Sequence, residues 1–380
     1  MVEKRKALVT GARGHTGTFL VDLLLEEGWE VVATDLPAEK RESLITKERI
    51  FKDLHGKAFN EVDGLQFIPA DLTDKESLKL LFEASEYDVL FHTASLYDYF
   101  APYELLERVN VDGLRNLLDA YVAFYDSKFH GDRDAYPRFL HWSTCGVYGE
   151  PNYERWDLPA DEDAPFDPPN DYSKSKMHQE RLLEEYMKKY SIPVVIIRPG
   201  PIYGPYQAYG EYHVFNMYRT IVYAPVFHVV PRKNRLRMPL VHVVDLVRAA
   251  LFLAEAPASE VVGEAFNVLG DCGYQEDYQE FIAHLMDCEV VHVTIPWFLF
   301  KFLSRGAYNL AIARTENLRK KGKRPKFDAP MVGYVIHQYF FSNQKIKNLG
   351  FEFQYPDMYK GTRETVTWYI QQGWLSKEEW

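Results

Sequence analysis

Short apolar segments alternate with segments of helical periodicity along residues 1–199 of the chain. The apolar segments predict buried strands over 6–10, 30–35, 65–70, 88–94, 138–144 and 193–199. The helical patterns between them cover, among others, 16–27, 105–124 and 173–190. Because strands that alternate with helices form a parallel sheet covered on both faces, we expect an α/β fold, a doubly wound parallel sheet of the Rossmann type.

The alternation weakens after Pro199, where tyrosine, proline and glycine crowd the stretch PGPIYGPYQAYGEY. Strand-like segments return only at PLVHVV and EAFNVLG. We therefore predict a dinucleotide-binding domain over 1–199, to which 240–268 returns, and a smaller, partly interleaved C-terminal substrate domain over 200–239 and 269–380. The charged segment 36–64 is predicted to be a helical excursion between two strands.

A glycine-rich turn joins the first predicted strand to the first helix in VTGARGHTG. Glycines at this junction let the backbone approach a pyrophosphate, which the helix N-terminus then attracts. The candidate cofactor contacts in the turn are Gly11, Arg13, Gly14, His15, Thr16 and Gly17. The second strand ends in Asp35, whose carboxylate can accept from both ribose hydroxyls and would repel a 2′-phosphate. This favours NAD, whereas the guanidinium of Arg13 leaves NADP as the alternative.

Tyr172 and Lys176 lie four residues apart in a predicted helix, so they occupy the same helical face. A free tyrosine has a pKa of about 10 and is a poor base at neutral pH. A neighbouring ammonium favours the phenolate and makes the pair suited to proton transfer. The spacing alone occurs by chance in many helices, so the assignment depends on the remaining motifs.

Nine segments occur in the order found in the extended short-chain dehydrogenase/reductase superfamily, which the whole chain resembles. They are TGARGHTG, Asp35, DLTD, FHTAS, NVDGLRNLLDA, STCGVYG, Tyr172-x-x-x-Lys176, IIRPGPIYGP and VHVVD. The resemblance implies that Thr144 orients the substrate oxygen, that Tyr172 and Lys176 are the acid/base pair, and that Asn110 either braces the site or packs a helix. It also implies cofactor contacts from Tyr172, Lys176, Asp71, Leu72, Thr93, Ala94, Pro199 and Ile202.

Four positions differ from the sugar-nucleotide members of this superfamily. Dehydratases carry Asp-Glu directly after the catalytic threonine, where this chain has Cys145 and Gly146. An asparagine and an arginine near the sugar diphosphate correspond here to Pro201 and Met238, with Arg237 one position away as a substitute. IIRPGPIYGP and the C-terminal YFFSNQKIKNLGFEFQY are more similar to the 3β-hydroxysteroid dehydrogenase branch.

We therefore expect an NAD-dependent oxidoreductase that interconverts a secondary alcohol and a ketone on a hydrophobic, sterol-like small molecule. The alternatives are a sugar-nucleotide epimerase and a non-catalytic dinucleotide sensor, which commonly lacks the tyrosine or lysine. Aromatic residues make up 15% of the chain. Those in loops after strands either line an apolar ligand site or pack between the domains; the substrate candidates are Tyr97, Tyr99, Phe100, Tyr203 and Tyr206, with Tyr209 beside them.

The formal net charge of −11 argues against a nucleic-acid partner. Three widely spaced cysteines give neither a disulfide framework nor a metal site, so we expect a cytoplasmic protein without a metal. No apolar run predicts a transmembrane segment. The segment 295–327 joins apolar to basic residues and is either a peripheral membrane contact or an amphipathic helix on the core followed by a solvated loop. By analogy, the superfamily implies a homodimer formed through helices over about 102–125 and 172–190.

Overall fold

The computed structural model describes residues 4–37, 52–53, 56–57, 61–130, 132, 135–150, 158–323 and 329–375. The chain divides into two compact units. The first unit comprises residues 1–147, 171–199 and 243–268, and the second comprises 148–170, 200–242 and 269–380. Most of the predicted excursion over 36–64 lies outside the described residues.

Thirteen strands lie in the described part of the chain. They are β1 Lys6–Thr10, β2 Glu30–Thr34, β3 Leu65–Phe67, β4 Val89–His92, β5 Arg138–Trp142, β6 Val194–Pro199, β7 Ile202–Tyr203, β8 Tyr223–Val230, β9 Arg237–Met238, β10 Val241–His242, β11 Ala265–Val268, β12 Gly273–Tyr274 and β13 Glu289–Pro296.

The first unit is built on one seven-stranded sheet in the order β3-β2-β1-β4-β5-β6-β11. Every neighbouring pair in this sheet is parallel. Strands β1, β2, β4, β5 and β6 are buried along nearly their whole length, which explains their continuous apolar sequences. The predicted fold class, a doubly wound parallel sheet of the Rossmann type, is confirmed.

Helices follow most of these strands. The described α-helices are α1 His15–Glu26, α2 Lys75–Ala84, α3 Tyr103–Leu106, α4 Gly113–Phe129, α5 Asp171–Tyr190, α6 Glu211–Thr220, α7 Val243–Glu255, α8 Ala258–Val261, α9 Gln275–Leu285, α10 Trp297–Lys320, α11 Ala329–Ile336, α12 Gln344–Asn348 and α13 Met358–Gln371. Apolar side chains of α2, α4 and α5 form a core cluster with the sheet, and α1 packs against α7.

A π-helical turn over Glu107–Asp112 joins α3 to α4 and interrupts the helix predicted over 105–124. π-Turns insert an extra residue into a helix and are frequent at functional sites. Asn110 lies in this turn and is fully buried. The π-turn therefore marks the part of the helix that reaches the candidate site.

The second unit contains three two-stranded sheets, β7 with β10, β9 with β12, and β8 with β13. Side chains of α6, α9 and α13 form its main apolar cluster. Residues 148–170 belong to this unit, although the sequence pattern placed them in the first domain. The reason is long-range pairing: Ala160 N–H donates to the Phe340 carbonyl at 2.9 Å, and Ser342 N–H donates to the Ala160 carbonyl at 2.8 Å.

Candidate functional site

The glycine turn lies directly against the end of β4. Gly11 has a φ of +69°, and a Cβ added there would lie 2.7 Å from the Ala94 Cα and 2.9 Å from the Thr93 Oγ1. A Cβ on Gly17 would lie 2.2 Å from the Gly11 carbonyl oxygen. Side chains are thus excluded at Gly11 and Gly17, which leaves the backbone of the turn close to the N-terminus of α1, as binding of a pyrophosphate requires.

Two threonines fix the shape of this turn. The Thr93 Oγ1 donates to the Thr10 carbonyl at 2.7 Å, and the Thr18 Oγ1 donates to the Gly14 carbonyl at 2.8 Å. Thr18 was not among the predicted site residues, although a threonine in the first turn of a helix can bond to the carbonyl four residues earlier. Of the other turn residues, His15 packs its ring 5.5 Å from Phe19, and Thr16 is partly exposed in the first turn of α1.

Asp35 is buried just after the end of β2. Its carboxylate accepts from the backbone N–H groups of Arg13 at 3.0 Å and Leu36 at 2.8 Å. The Arg13 guanidinium lies 3.9 Å from the ring centroid of Phe67. A fixed carboxylate beside this glycine-rich turn fits the adenosine ribose and pyrophosphate of NAD, and a 2′-phosphate there would meet like charge.

Asp71 and Leu72 follow β3. One Asp71 carboxylate oxygen accepts from the Thr73 N–H at 2.8 Å and from its hydroxyl at 2.7 Å, so this side chain caps its own turn. The Leu72 carbonyl accepts from the Asn116 Nδ2 at 2.9 Å, and a Cβ on Gly113 would lie 2.9 Å from the Leu72 Cβ. The structure thus places Leu72 against the start of α4; contact of either residue with adenine stays a prediction.

Tyr172 and Lys176 are both buried on the first turns of α5. The Lys176 Nζ lies 6.0 Å from the centroid of the Tyr172 ring and donates to the Trp142 carbonyl at 2.8 Å. This bond ties the ammonium to the end of β5, two residues before Thr144. The predicted acid/base pair therefore lies on one helical face beside the strand that leads to the predicted threonine.

Thr144 approaches the start of α5 around Gly146. Its Oγ1 accepts from the Gly146 N–H at 3.0 Å. A Cβ on Gly146 would lie 3.2 Å from this oxygen and 2.8 Å from the Ser173 Oγ. The hydroxyl groups of Thr144 and Ser173 thus both lie close to Gly146. Only glycine fits at position 146, because any side chain there would meet these two oxygens.

Asn110 links three segments of the first unit. Its Oδ1 accepts from the Leu96 N–H at 2.7 Å, and its Nδ2 donates to the Ser175 Oγ at 3.0 Å. The Gln179 Nε2 donates to the Asn110 backbone carbonyl at 2.7 Å, within the π-turn. Asn110 therefore holds the loop after β4 to α5, a bracing position that also packs the helix.

Burial changes the protonation of the groups around Lys176. Desolvation lowers the pKa of Lys176 to about 7, and the charge of Glu180 partly opposes this shift. Burial and the Lys176 charge lower the pKa of His92 to about 3 and hold the pKa of His141 well below its usual value. The two imidazoles, whose ring centroids are 5.4 Å apart, are therefore neutral at physiological pH.

A buried ion pair beneath this site was missed from the sequence. The Arg198 Nη2 lies 2.7 Å from the Glu180 Oε2, and the Ser143 hydroxyl donates to the other carboxylate oxygen. The Cys145 thiol donates to the Arg198 carbonyl at 3.1 Å. The available signal was the position of Glu180 four residues after Lys176, on the same helical face.

Aromatic rings of the loop after β4 surround Tyr172. The ring centroids of Tyr97 and Tyr99 lie 4.9 Å and 5.4 Å from that of Tyr172, both in edge-to-face geometry. Tyr97 is 51% exposed. Phe100 belongs to the same loop and is partly buried, with its N–H bonded to the Asp98 carboxylate at 2.8 Å. This part of the predicted aromatic wall adjoins the candidate acid/base residue.

The second unit holds the other aromatic candidates. Tyr203 is buried in the apolar cluster, with its ring 5.1 Å from His242, and a Cβ on Gly361 would lie 2.2 Å from its hydroxyl. Tyr203 thus packs as tightly as a core residue, and its contact with a substrate stays a prediction. Tyr206 packs 4.4 Å from Trp368, and Tyr209 packs 5.8 Å from His213.

The last two predicted cofactor contacts lie in strands of different units. Pro199 ends β6 and is paired with Val268, whereas Ile202 is in β7 and is paired with Val241. Their contact with a cofactor stays a prediction. Among the residues that the structure describes, no group of three or more histidine, cysteine or acidic side chains is arranged to hold a metal. Nor does any helix in the described ranges have the length and apolarity needed to cross a bilayer.

Comparison with known sequences identifies similar enzymes. UDP-glucose 4-epimerase of Mycolicibacterium smegmatis is 31% identical over 214 residues, 54% of this chain and 59% of the relative. Human dTDP-D-glucose 4,6-dehydratase is 28% identical over 208 residues, 53% of each. The chain spans about half the length of the curated relatives it matches first.

Solved structures resemble the chain over nearly its full length. UDP-glucose 4-epimerase of Thermotoga maritima has a TM-score of 0.66 at 20% identity and covers 97% of this chain and 99% of its own. The Thermus thermophilus UDP-glucose 4-epimerase complex with NAD has a TM-score of 0.63 at 23% identity, covering 96% of this chain and 99% of its own. At these identities the likeness supports the fold.

The sequence model of the NAD dependent epimerase/dehydratase family matches residues 7–268. This match runs from β1 to β11 and includes the glycine turn, Thr144, Tyr172 and Lys176. It also confirms the expectation that the cofactor is NAD. The similar proteins are sugar-nucleotide epimerases and dehydratases, so the 3β-hydroxysteroid dehydrogenase branch stays a prediction. The chain belongs to the NAD dependent epimerase/dehydratase family, within the extended short-chain dehydrogenase/reductase superfamily.

Proposed function

We propose that the protein catalyses reversible oxidation of a secondary alcohol, with Tyr172 as the group that exchanges the hydroxyl proton. The observation that carries this proposal is the buried Lys176 ammonium, held by the Trp142 carbonyl 6.0 Å from the centre of the Tyr172 ring. Bound NAD supplies the hydride acceptor, and as NADH the hydride donor.

The chain's own residues handle the proton. The Lys176 ammonium stabilises the Tyr172 phenolate, which accepts the proton of the substrate hydroxyl and becomes a neutral phenol. Thr144 donates a hydrogen bond that orients the substrate oxygen. Because the pKa of Lys176 is about 7, this group gains and loses protons near neutral pH.

A sugar nucleotide is the substrate class that we favour, with epimerisation as the reaction. The support is that the similar proteins are UDP-sugar epimerases and dTDP-glucose dehydratases. Dehydration needs further acids after the threonine, and this chain offers none there. The Cys145 thiol is buried against the Arg198 carbonyl, and the space beside Gly146 is taken by the Ser173 Oγ.

A hydrophobic, sterol-like alcohol is the second candidate. The edge-to-face cluster of Tyr97, Tyr99 and Tyr172 gives the reacting group an aromatic setting. Within the second unit, Met238 is a buried core residue. The Arg237 guanidinium is stacked 3.7 Å from the Tyr274 ring and donates to the Cys272 carbonyl at 3.1 Å. Both features weaken the usual means of gripping a diphosphate.

A substrate panel separates these candidates. The purified protein with NAD is incubated with UDP-glucose, UDP-galactose and 3β-hydroxysteroids, and both NADH absorbance and the sugar epimers are measured. Epimerisation predicts interconversion of the two UDP-sugars with flat NADH absorbance, because the cofactor is regenerated in each turnover. If NADH forms with the steroids and the UDP-sugars do not react, the second candidate replaces the sugar nucleotide as the substrate. Failure of both classes, with NAD binding intact, would contradict both substrate proposals.

A further inference from the structure

Helix α10 is anchored through one narrow face. The residues on this face are partly or fully buried and recur every three or four positions: Trp297, Phe300, Ser304, Tyr308, Ala311, Thr315 and Leu318. The Tyr308 ring lies 4.9 Å from the ring of His337, and a Cβ added to Gly333 would lie 3.4 Å from the Tyr308 Cε2. This face accounts for how the helix is held to α11, and it leaves the opposite face available for another role.

The opposite face of α10 exposes large apolar side chains over 298–310, whereas Glu316 and Asn317 lie on it further along the helix. Its apolar members are Phe298, Leu299, Phe302, Leu303 and Leu310, all of them exposed. Phe298 and Phe302, one turn apart, are each 75% exposed. Large side chains clustered on one exposed surface mark an interaction site more often than isolated ones do. We call these five residues the outer face of α10.

Cations border the outer face on both sides. Helical geometry at 3.6 residues per turn places Lys301 and Arg305 along one edge and Arg314 along the other. All three are exposed. Over 297–323 the chain carries seven lysines and arginines (Lys301, Arg305, Arg314, Arg319, Lys320, Lys321 and Lys323) against a single acid, Glu316, whereas the whole protein has a net charge of −11. Three of these cations thus flank the exposed apolar side chains, and the other four extend the positive charge at the C-terminal end of the helix and just past it.

We propose that the outer face of α10 docks on the surface of an anionic lipid bilayer. A helix that lies in the interface buries aromatic and aliphatic side chains among the acyl chains while flanking lysines and arginines reach anionic headgroups. This arrangement matches the outer face and its cationic edges. Pairing of two copies through the same face is less favourable, because cations on both edges would meet the cations of the second copy.

Co-sedimentation with vesicles tests the proposal on the full chain. We expect the protein to pellet with phosphatidylcholine vesicles that contain phosphatidylserine and to bind pure phosphatidylcholine more weakly. The double variant Phe298→Ser, Phe302→Ser should bind roughly a hundredfold more weakly because two inserted rings are lost. The variant Lys301→Gln, Arg305→Gln should bind about tenfold more weakly to the anionic vesicles and show a weaker salt dependence than the wild type.

The control is Leu80→Ser, which replaces a 59% exposed leucine of α2 in the first unit and should bind vesicles as the wild type does. Because the replaced phenylalanines are exposed, circular dichroism should show an unchanged fold in the double variant. A wild-type protein that stays in the supernatant with both vesicles would overturn the proposal. The proposal would also be overturned if light scattering shows that the wild type self-associates and the double variant does not, while both bind vesicles equally. Neither result depends on the substrate.

Discussion

Glu180 places a negative charge in the interior of the first unit, one helical turn after Lys176. Its carboxylate receives the Ser143 hydroxyl and the Arg198 guanidinium, and the side chains of this ion pair are 7% and 1% exposed for Arg198 and Glu180. Such a pair adds little net stability over apolar residues, but removal of one partner leaves the other charge buried and uncompensated. The Glu180 carboxylate is thus needed to neutralise the buried Arg198 guanidinium, independently of any catalytic role.

We therefore predict that Glu180→Gln lowers the free energy of unfolding by about 3–5 kcal/mol. Urea denaturation of the cofactor-free protein measures this change. Glu184→Gln is the matched control, since it makes the same replacement one turn further along α5 at an exposed position. A loss no larger than that of the control would show that the buried pair is not formed.

Lys176 predicts a pH dependence of stability. Its pKa is about 7 in the folded chain, below the value of about 10.5 for an exposed lysine. Between these values the unfolded chain binds a proton that the folded chain does not, so this group makes stability rise with pH. Below pH 7 the lysine is protonated in both states, and the full penalty of burying its charge remains.

The measurement is the difference in unfolding free energy between wild type and Lys176→Met, taken at several pH values from about 6 to 10 without cofactor. The wild type should gain stability relative to the variant as pH rises. A constant difference would mean that the ammonium is not desolvated. His92 and His141 stay neutral in the folded chain over this range and titrate in the unfolded chain at about pH 6.5, a contribution that the wild type and the variant share and that cancels in the difference.

The turn between β1 and α1 keeps its shape because two of its contacts require glycine: Gly11 against the end of β4, and Gly17 against the Gly11 carbonyl oxygen. Gly17 belongs to α1 and faces the Gly11 carbonyl oxygen, 2.2 Å from where a Cβ would lie. Gly306 in α10 is also helical, but an added Cβ there meets no atom within 4 Å. Replacement of Gly17 by alanine therefore tests a steric requirement, whereas the same replacement at Gly306 tests helix propensity alone.

Gly17→Ala should weaken NAD binding by at least about tenfold, measured by calorimetric titration, because the turn must shift away from the helix N-terminus. Gly306→Ala should leave NAD binding unchanged and raise the free energy of unfolding by about 0.5–1 kcal/mol, as expected when alanine replaces a helical glycine. Equal NAD affinity in both variants would contradict the assignment of the turn to the pyrophosphate.

Elements of regular periodicity were the most predictable part of this chain. All six strands predicted before residue 200 are present, and α1 and α5 begin within two residues of their predicted positions. The π-turn was not predictable, because the apolar spacing of 105–124 fits an uninterrupted helix. What imposes it is tertiary: Asn110 bonds at once to Leu96 and Ser175, and its carbonyl receives Gln179.

At the scale of the whole molecule, contacts distant in sequence limited the predictions. Residues 148–170 join the second unit through a bridge from Ala160 to Phe341, which no local pattern reveals. Tyr203 and Tyr97 look alike in sequence, each in an aromatic loop after a strand, yet one is core and the other is half-exposed beside Tyr172. Their clustering along the chain was visible in the sequence, but their surroundings were not.

The type of reaction could be predicted from residue types and their spacing in the sequence. The structure adds which contacts hold these residues in place. Lys176 reaches β5 through a backbone carbonyl, and Asn110 ties the loop after β4 to α5. The identity of the substrate was harder to predict from the sequence. Patterns around the site favoured an apolar alcohol, whereas the similar proteins are named for sugar nucleotides. The reaction at Tyr172 is common to both candidates and is therefore the claim that can be tested first.

The most direct test compares Tyr172→Phe with Tyr190→Phe, which makes the same change at the far end of α5. Turnover is measured on whichever substrate of the panel reacts, alongside NAD affinity by titration. Tyr172→Phe should lower the turnover rate by a factor of at least about 10² with NAD affinity nearly unchanged, while Tyr190→Phe should match the wild type. Turnover by Tyr172→Phe at the wild-type rate would contradict the account.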